Sequence, residues 1–361
     1  MQMKTSLTSV LLFFSTISMA QYRVVDIQDG AAIAYATLHN EAGNTLGTTT
    51  ERGELPASAL QAKGKISITH IGYEPYSVDL SQQKDSLIGM LPITYALKEV
   101  SVGSNPNGYM KLKGFFRYYI DEGGKICYYK QGIANHYFKM KNGRPRVTTL
   151  NSPMYYAADI QLRKDGKLPN VSKLADFVFV EPEYKVEINH YPTEHLRPHC
   201  DTILVNKDKR YKKVKVHTGA ENKTIELSSL WFENDSAETA KGLNLSLLGK
   251  LIGLKRFVVK NTKRNEIYRY NPNGAHSVCD LISISGHTDV IVKDKGDTKD
   301  RAMSIYGEFF VLDYEIIDKE DIATESKKLF DSHNVSRPNT VPKLAEGVEK
   351  AVKNMKSITD E

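Results

Sequence analysis

Cysteine is scarce: Cys127, Cys200 and Cys279 are the only three in 361 residues. They lie far apart, show no Cys-x-x-Cys spacing and fit no disulfide framework. In an oxidising compartment one pair can bridge and leave a thiol over. The alternative is that all three are small buried hydrophobes. Charge of one sign is not concentrated anywhere, and the net charge of +6 is spread along the chain. That argues against a nucleic-acid binder, which would show a basic face. Long uncharged runs are missing beyond the N-terminus, so no spanning helix is expected in the mature chain. Motifs of catalysis are missing too. There is no Gly-x-Ser-x-Gly, no calcium-loop spacing in residues 294–300, and no Lys-Ser/Thr ending to a phosphate loop in residues 249–255.

The N-terminus reads as a removable export signal. Lys4 supplies a positive start, residues 7–17 an apolar core broken by polar side chains, and Ser18 and Ala20 the small residues before a cut ahead of Gln21. No cysteine stands at the new N-terminus, so a lipid anchor is not indicated. The expectation is a soluble exported protein, periplasmic or secreted.

Residues 22–102 read as short strands between turns. Residues 22–27 and 33–38 alternate, Asp29-Gly30 and residues 40–44 make turns, and residues 66–71 place Ile66, Ile68 and His70 on one face. Residues 76–80, 86–91 and 97–102 complete a seven-stranded pattern of the kind found in β-sandwiches. The residues Val25-Asp26, Gly30, Ile33, Tyr35-Ala36, Thr50, Gly53, Ile66 to Tyr73, Leu91 and Leu97-Lys-Glu-Val100 resemble the carboxypeptidase regulatory-like domain common in exported proteins of Bacteroidetes. The resemblance covers the first quarter of the mature chain and implies a transthyretin-like β-sandwich without catalytic residues. In that fold Gly30, Gly53 and Gly72 would serve turns of positive φ, and Tyr73 would cap the core with its hydroxyl in water. Such a domain often precedes an outer-membrane receptor barrel, for which the rest of this chain is too short. The His-x-x-Glu zinc pair of a peptidase is absent.

A linker is expected at residues 104–110. Beyond it aromatic strand-like runs follow at residues 115–119, 127–129, 136–138, 155–156, 177–180 and 184–188, with Glu122-Gly123-Gly124 and Gly132 read as turns between the first three. Residues 256–259, 266–270, 278–284, 289–292 and 304–317 continue the pattern, which suggests one curved antiparallel sheet or open barrel over residues 111–335. Residues 236–254 read as a helix with Leu243, Leu247, Leu251 and Leu254 on one stripe, favouring a core helix over a lid or a membrane-lying surface. Residues 336–361 read as a linker and a helix, with Leu344, Val348 and Val352 on one side.

The densest polar cluster is His190, Glu194, His195, His199, Cys200 and Asp201. Imidazole and carboxylate suit zinc, and His190, Glu194, His195 and His199 are the candidate metal ligands. Pro192 and Pro198 oppose a helix there, and neither zinc-peptidase order is met, so a solvated loop without cofactor is favoured. Ser285, His287 and Asp289 are the right residue types for a triad but too close along the chain. The basic run at 207–215 reads as a solvated or lysine-protected edge strand. The tyrosines of residues 109–191 either build strands or line a glycan or peptide groove by stacking.

These readings give a mainly β protein: a signal at 1–20, a sandwich at 21–103, and a larger antiparallel β domain with one or two helices. The function expected is non-catalytic binding or scaffolding in the cell envelope, with an envelope protein, glycan or lipid as partner, peripheral membrane contact and no nucleic acid. The alternatives are a carrier of an apolar ligand such as lipid, and an exported metal-assisted hydrolase.

Overall fold

Short alternating segments at the N-terminal end fold into two sheets closed over a small apolar core. The computed structural model describes residues 22–93, 108–141, 143, 145–149, 153–177, 182, 201–205, 211–218, 223–233, 243–270, 276–322, 324 and 336–358. The strands are β1 (Arg23–Asp26), β2 (Thr37–Asn40), β3 (Thr45–Thr48), β4 (Lys65–His70), β5 (Tyr73–Asp79) and β6 (Leu87–Met90). β1 pairs in parallel with β6, and the others form a sheet in the order β3-β2-β4-β5, with one helical turn, α1 (Ala57–Leu60). Period-two alternation puts Ile66 and Ile68 of β4 into a core with Val24, Leu38, Tyr73 and Ile88. The seventh strand, expected at 97–102, lies outside the described residues, as do residues 1–20, read as an export signal, and the residues of the expected linker up to 107.

Three local expectations are corrected. Residues 33–36 are not strand, because Tyr35 takes a left-handed φ of 58° and turns the chain before β2 begins. Gly30 and Gly53 do adopt positive φ (71° and 76°). Gly72 does not, and the reason for a glycine there is space: a Cβ would lie 2.8 Å from Ile267 Cδ1. The Tyr73 hydroxyl is not in water either. The residue is fully buried and donates to Asp26 Oδ2 at 3.0 Å.

The longer strands that follow build one large antiparallel sheet. They are β7 (Tyr109–Glu122), β8 (Lys125–Lys139), β9 (Pro145–Thr149), β10 (Met154–Tyr156), β11 (Asp201–Val205), β12 (Tyr211–Thr218), β13 (Lys223–Glu233), β14 (Leu243–Asn244), β15 (Leu254–Arg269), β16 (Leu281–Asp294), β17 (Arg301–Ile317) and β18 (Lys356–Ile358). Their order is β11-β12-β13-β15-β16-β17-β7-β8-β10-β18, with β14 on β15 and β9 on β8. The molecule is therefore mainly β, a sandwich plus a larger antiparallel sheet. One face of the strands feeds a single core that includes Leu112 and Phe116 of β7, Phe138 of β8, Leu227 of β13, Phe257 of β15 and Phe309 of β17, roofed by Val171 and Leu174 of a 3-10 helix (Asn170–Phe177). A sheet whose inner face closes on itself in this way must curl. Among the described strands β11 and β18 do not pair, so the curl stays open. Each fully buried phenylalanine contributes about 2–3 kcal/mol. Gly114 leaves room for one of them, since a Cβ there would overlap the Phe309 ring.

Sequence periodicity misplaced three features of this region. Gly132 makes no turn, since β8 runs through it, while the turn expected at Glu122-Gly123-Gly124 is there, both glycines with positive φ. Residues 211–215 of the basic run do not form an edge, because β12 pairs with β11 on one side and β13 on the other. Of the helix expected at residues 236–254, the part from 243 on is described, and in it the helix is α2 (Ser246–Leu251) with strand on either side. Its Gly249 presses against Phe257, where a Cβ would lie 2.9 Å from Phe257 Cβ, and this bare backbone face seats the helix. Leu247 and Leu251 are consequently turned outward, each 81% exposed, and only Leu254 is core.

The C-terminal helix α3 (Glu346–Lys353) follows the expected stripe. Val348 is buried beside Tyr119, Tyr129 and Tyr306, with Leu344 and Val352 at the margin. Its Gly347 abuts the β2–β3 turn so closely that a Cβ would lie 2.6 Å from Gly43 N. The helix is thus wedged between the sandwich and the outer face of the large sheet.

Candidate functional site

The outer face of the large sheet carries polar residues in cross-strand rows, and the sandwich covers them. Tyr119, Tyr306, His287 and Lys263 stand opposite one another on β7, β17, β16 and β15. Arg117, Glu308, Ser285 and Asn265 form the next row, and Asp121, Ser304, Asp289 and Asn261 a third. Facing side chains on adjacent strands touch. The ring of His287 stacks on Tyr306 at 4.4 Å and Tyr306 on Tyr119 at 4.7 Å.

From the sandwich, His39 Nε2 meets the Tyr119 hydroxyl at 2.9 Å. Lys263 Nζ donates to Thr48 Oγ1 at 2.9 Å and lies over the Tyr35 ring. A bulge between Ile68 and His70 re-aims His70 at the large sheet. Its Nδ1 accepts from the Gly72 N–H at 3.1 Å, which leaves Nε2 to face Glu226 Oε1 of β13 at 3.2 Å and the Asn265 side-chain amide at 3.0 Å. Ile71, beside it, packs with Phe115, Ile267 and Phe310. The Ile71-Gly72-Tyr73 signature of the sandwich is therefore also its docking point.

Burial governs the charges here. It holds the His39 imidazole down to about 3, helped by the Arg117 cation, so the ring is neutral. It pushes the Asp121 carboxyl up to about 6. Burial also opposes the Asp289 charge, but His287 and hydrogen bonds from His287, Ser304 and Asn261 outweigh it and keep that carboxylate well below its usual range. Arg117 pairs with Glu308 and donates to Pro342 O at 2.8 Å, tying in the C-terminal segment. The space left in this layer is about 20 Å³, enough for about one water. Most of these groups are paired with one another, although His39 Nδ1, Asp121 Oδ2 and His287 Nδ1 are buried without a hydrogen bond, and the layer acts as cement.

Ser285, His287 and Asp289 do not form a triad. Asp289 Oδ1 takes up His287 Nε2 at 2.9 Å, and among the described residues no hydroxyl bonds to His287 Nδ1.

Open space of a ligand's size lies on the same outer face, further along. A groove of about 460 Å³ runs between β8, β10 and α3. Tyr129 and Tyr155 form one wall, their rings 6.1 Å apart, and Leu344, Val352 and Met355 the apolar floor. Arg337, Lys343 and Lys353 bring cations to the rim, with Gln131 and Glu349. Glu349 is paired with Lys353 at 3.0 Å, while Lys343 forms no ion pair among the described residues. Burial pushes the Tyr129 phenol far up, so its hydroxyl stays protonated and donates to Gln131 Oε1 at 2.7 Å.

His190, Glu194, His195, His199 and Cys200 lie outside the described residues, and nothing in the structure bears on them. Cys127 and Cys279 are free, buried thiols, so they are not bridged to each other. Burial raises the Cys127 thiol to about 11, which makes it inert. Of the tyrosines read as groove or strand residues, Tyr119, Tyr128, Tyr129, Tyr137 and Tyr156 are buried in the fold; among the described ones Tyr129 and Tyr155 line the groove, and of these two Tyr155 is the half-exposed ring. The rim cations were missed, because Arg337 falls in a stretch that reads as linker and Lys343 at the start of the expected C-terminal helix, where a lone lysine reads as solvated. The sequence matches no family model and no curated protein.

Proposed function

We propose that the chain is an exported, non-catalytic binding protein of the cell envelope whose groove beside the C-terminal helix takes an acidic glycan. The observation that carries this is the half-exposed Tyr155 ring set beside a cationic rim in a space of about 460 Å³, a volume typical of ligand sites. Sugar rings present apolar C–H faces that lie on aromatic rings, and their carboxylates call for Lys and Arg. The N-terminal sandwich, in the manner of the carboxypeptidase regulatory-like domains it resembles, supplies no chemistry and serves as a docked module. The carrier reading has less behind it, since the inner face of the curled sheet is filled by its own side chains, Phe116, Phe138, Phe257 and Phe309 among them.

The test is titration calorimetry of the full chain against uronate-containing oligosaccharides and their neutral counterparts. Tyr155→Ala removes one stacking ring, worth about 0.5–1.5 kcal/mol, and should weaken binding roughly three- to tenfold. Lys343→Ala should narrow the preference for the acidic over the neutral sugar. No measurable heat with any uronate oligosaccharide would sink the reading.

A further inference from the structure

Of the nine large hydrophobic side chains exposed among the described residues, five are leucines at one end of the curled sheet: Leu162, Leu243, Leu247, Leu248 and Leu251. They come from two separate segments. Leu243 precedes α2 and pairs its strand with β15, Leu247 and Leu251 follow at one-turn spacing on α2, and Leu162 projects from the loop before the 3-10 helix. The two segments are held together by Asn170, which accepts from Arg163 at 2.8 Å and donates to Asp294 Oδ1 at 2.9 Å and to Gly253 O at 3.4 Å. The leucines therefore sit on a built surface.

The charges around them are one-sided. Among the described residues the carboxylates at this end are engaged: Asp165 with Arg163, Asp159 with Lys125, Asp300 with Arg256, Glu122 and Asp297 with Arg301, and Asp294 with Asn170. Lys164, Lys167, Lys173, Lys250, Lys255 and Lys295 are exposed and form no ion pair among the described residues. An apolar tip ringed by unpaired lysines is complementary to one kind of surface, an apolar layer beneath anionic head groups. A second copy of this end would bring the same lysines face to face, which like-charge repulsion disfavours.

We propose that the α2 end of the sheet seats the protein peripherally on an anionic lipid bilayer, with Leu247 and Leu251 entering the head-group boundary and the free lysines holding the phosphates. No spanning helix is involved, and none exists among the described residues.

The experiment is co-sedimentation of the full chain with large vesicles of phosphatidylcholine, with and without one-third phosphatidylglycerol. Binding should require the anionic lipid and fall steeply with added salt. Because Leu247 and Leu251 are each 81% exposed, Leu247→Ser with Leu251→Ser should leave the melting temperature unchanged and lower binding at least tenfold. Lys250→Gln should lower it about fivefold. The proposal is overturned if the chain stays in the supernatant with anionic vesicles, or if the double serine variant binds as the wild type does. It is equally overturned if ultracentrifugation without lipid shows a dimer that the serine variant abolishes, since the leucines would then serve a second copy.

Discussion

His39 and His136 are imidazoles that the fold keeps neutral, held by burial down to about 3 and about 4. In the unfolded chain each would titrate near 6.5. Below that value unfolding takes up a proton at each, so stability falls with falling pH by about 1.4 kcal/mol per unit for each ring. Asp121 acts the other way. Burial raises its carboxyl to about 6, so between pH 6 and 4 the folded state binds a proton that the unfolded state does not, and this group adds stability as the pH drops. Two rings against one carboxyl leave a net uptake of about one proton near pH 5. Urea midpoints measured from pH 6.5 to 5 should therefore decline in the wild type, decline more steeply in Asp121→Asn, and flatten in His39→Gln. If His39→Gln keeps the wild-type slope, His39 is not buried neutral against Tyr119.

At the scale of elements, what was legible in the sequence was whatever repeats along the chain. Alternation in β4 and the aromatic runs of β7 and β8 announced strands because every second residue meets the same environment. The stripe Leu344, Val348, Val352 announced α3 for the same reason. α2 was misread because its leucines do repeat at helical spacing, yet the packing face is Gly249, whose contribution is the absence of a side chain. The same blindness hid the seat of α3. At Gly347 a Cβ would meet backbone atoms of Gly43, Asn40 and Glu41 at 2.6 to 2.9 Å, and backbone cannot rotate away as a side chain can. Alanine in a helix normally gains about 1 kcal/mol over glycine. Here the forced separation should exceed that gain, for a net loss of about 1–3 kcal/mol. Gly347→Ala should lower the urea midpoint, while Glu346→Ala, whose side chain is exposed and holds only Lys350, should leave it nearly unchanged. A raised midpoint in Gly347→Ala would mean that α3 does not rest on the β2–β3 turn.

Over the whole molecule, the decisive feature is the polar layer that joins sandwich to sheet, and no periodicity could have announced it. β7, β15, β16 and β17 contribute three members each and the sandwich a few more, such as His70, and each of these, Asn265, His287 and Glu308 among them, reads in isolation as an ordinary wet strand residue. Only the register that sets Tyr119 beside Tyr306 and His287 turns them into a surface, and the sandwich then dries it. An interface of charged and hydrogen-bonded groups offers little energy for being formed but a large penalty for being half broken. Its two sides should therefore unfold together in the wild type, as a single calorimetric transition. The His70–Glu226 pair is the sharpest probe, because both side chains are less than 5% exposed and lie 3.2 Å apart across the boundary. His70→Leu takes from Glu226 its imidazole donor while leaving the carboxylate buried, at a cost of about 2–4 kcal/mol. That is enough to uncouple the sandwich, and the scan should then resolve two transitions. Replacing both residues, His70→Leu with Glu226→Met, removes the stranded charge along with its partner and should restore much of the loss and the single transition. If His70→Leu still melts in one step at the wild-type temperature, the two sheets are held by the apolar contacts of Ile71 and Gly72 with Ile267, and the polar layer is merely accommodated.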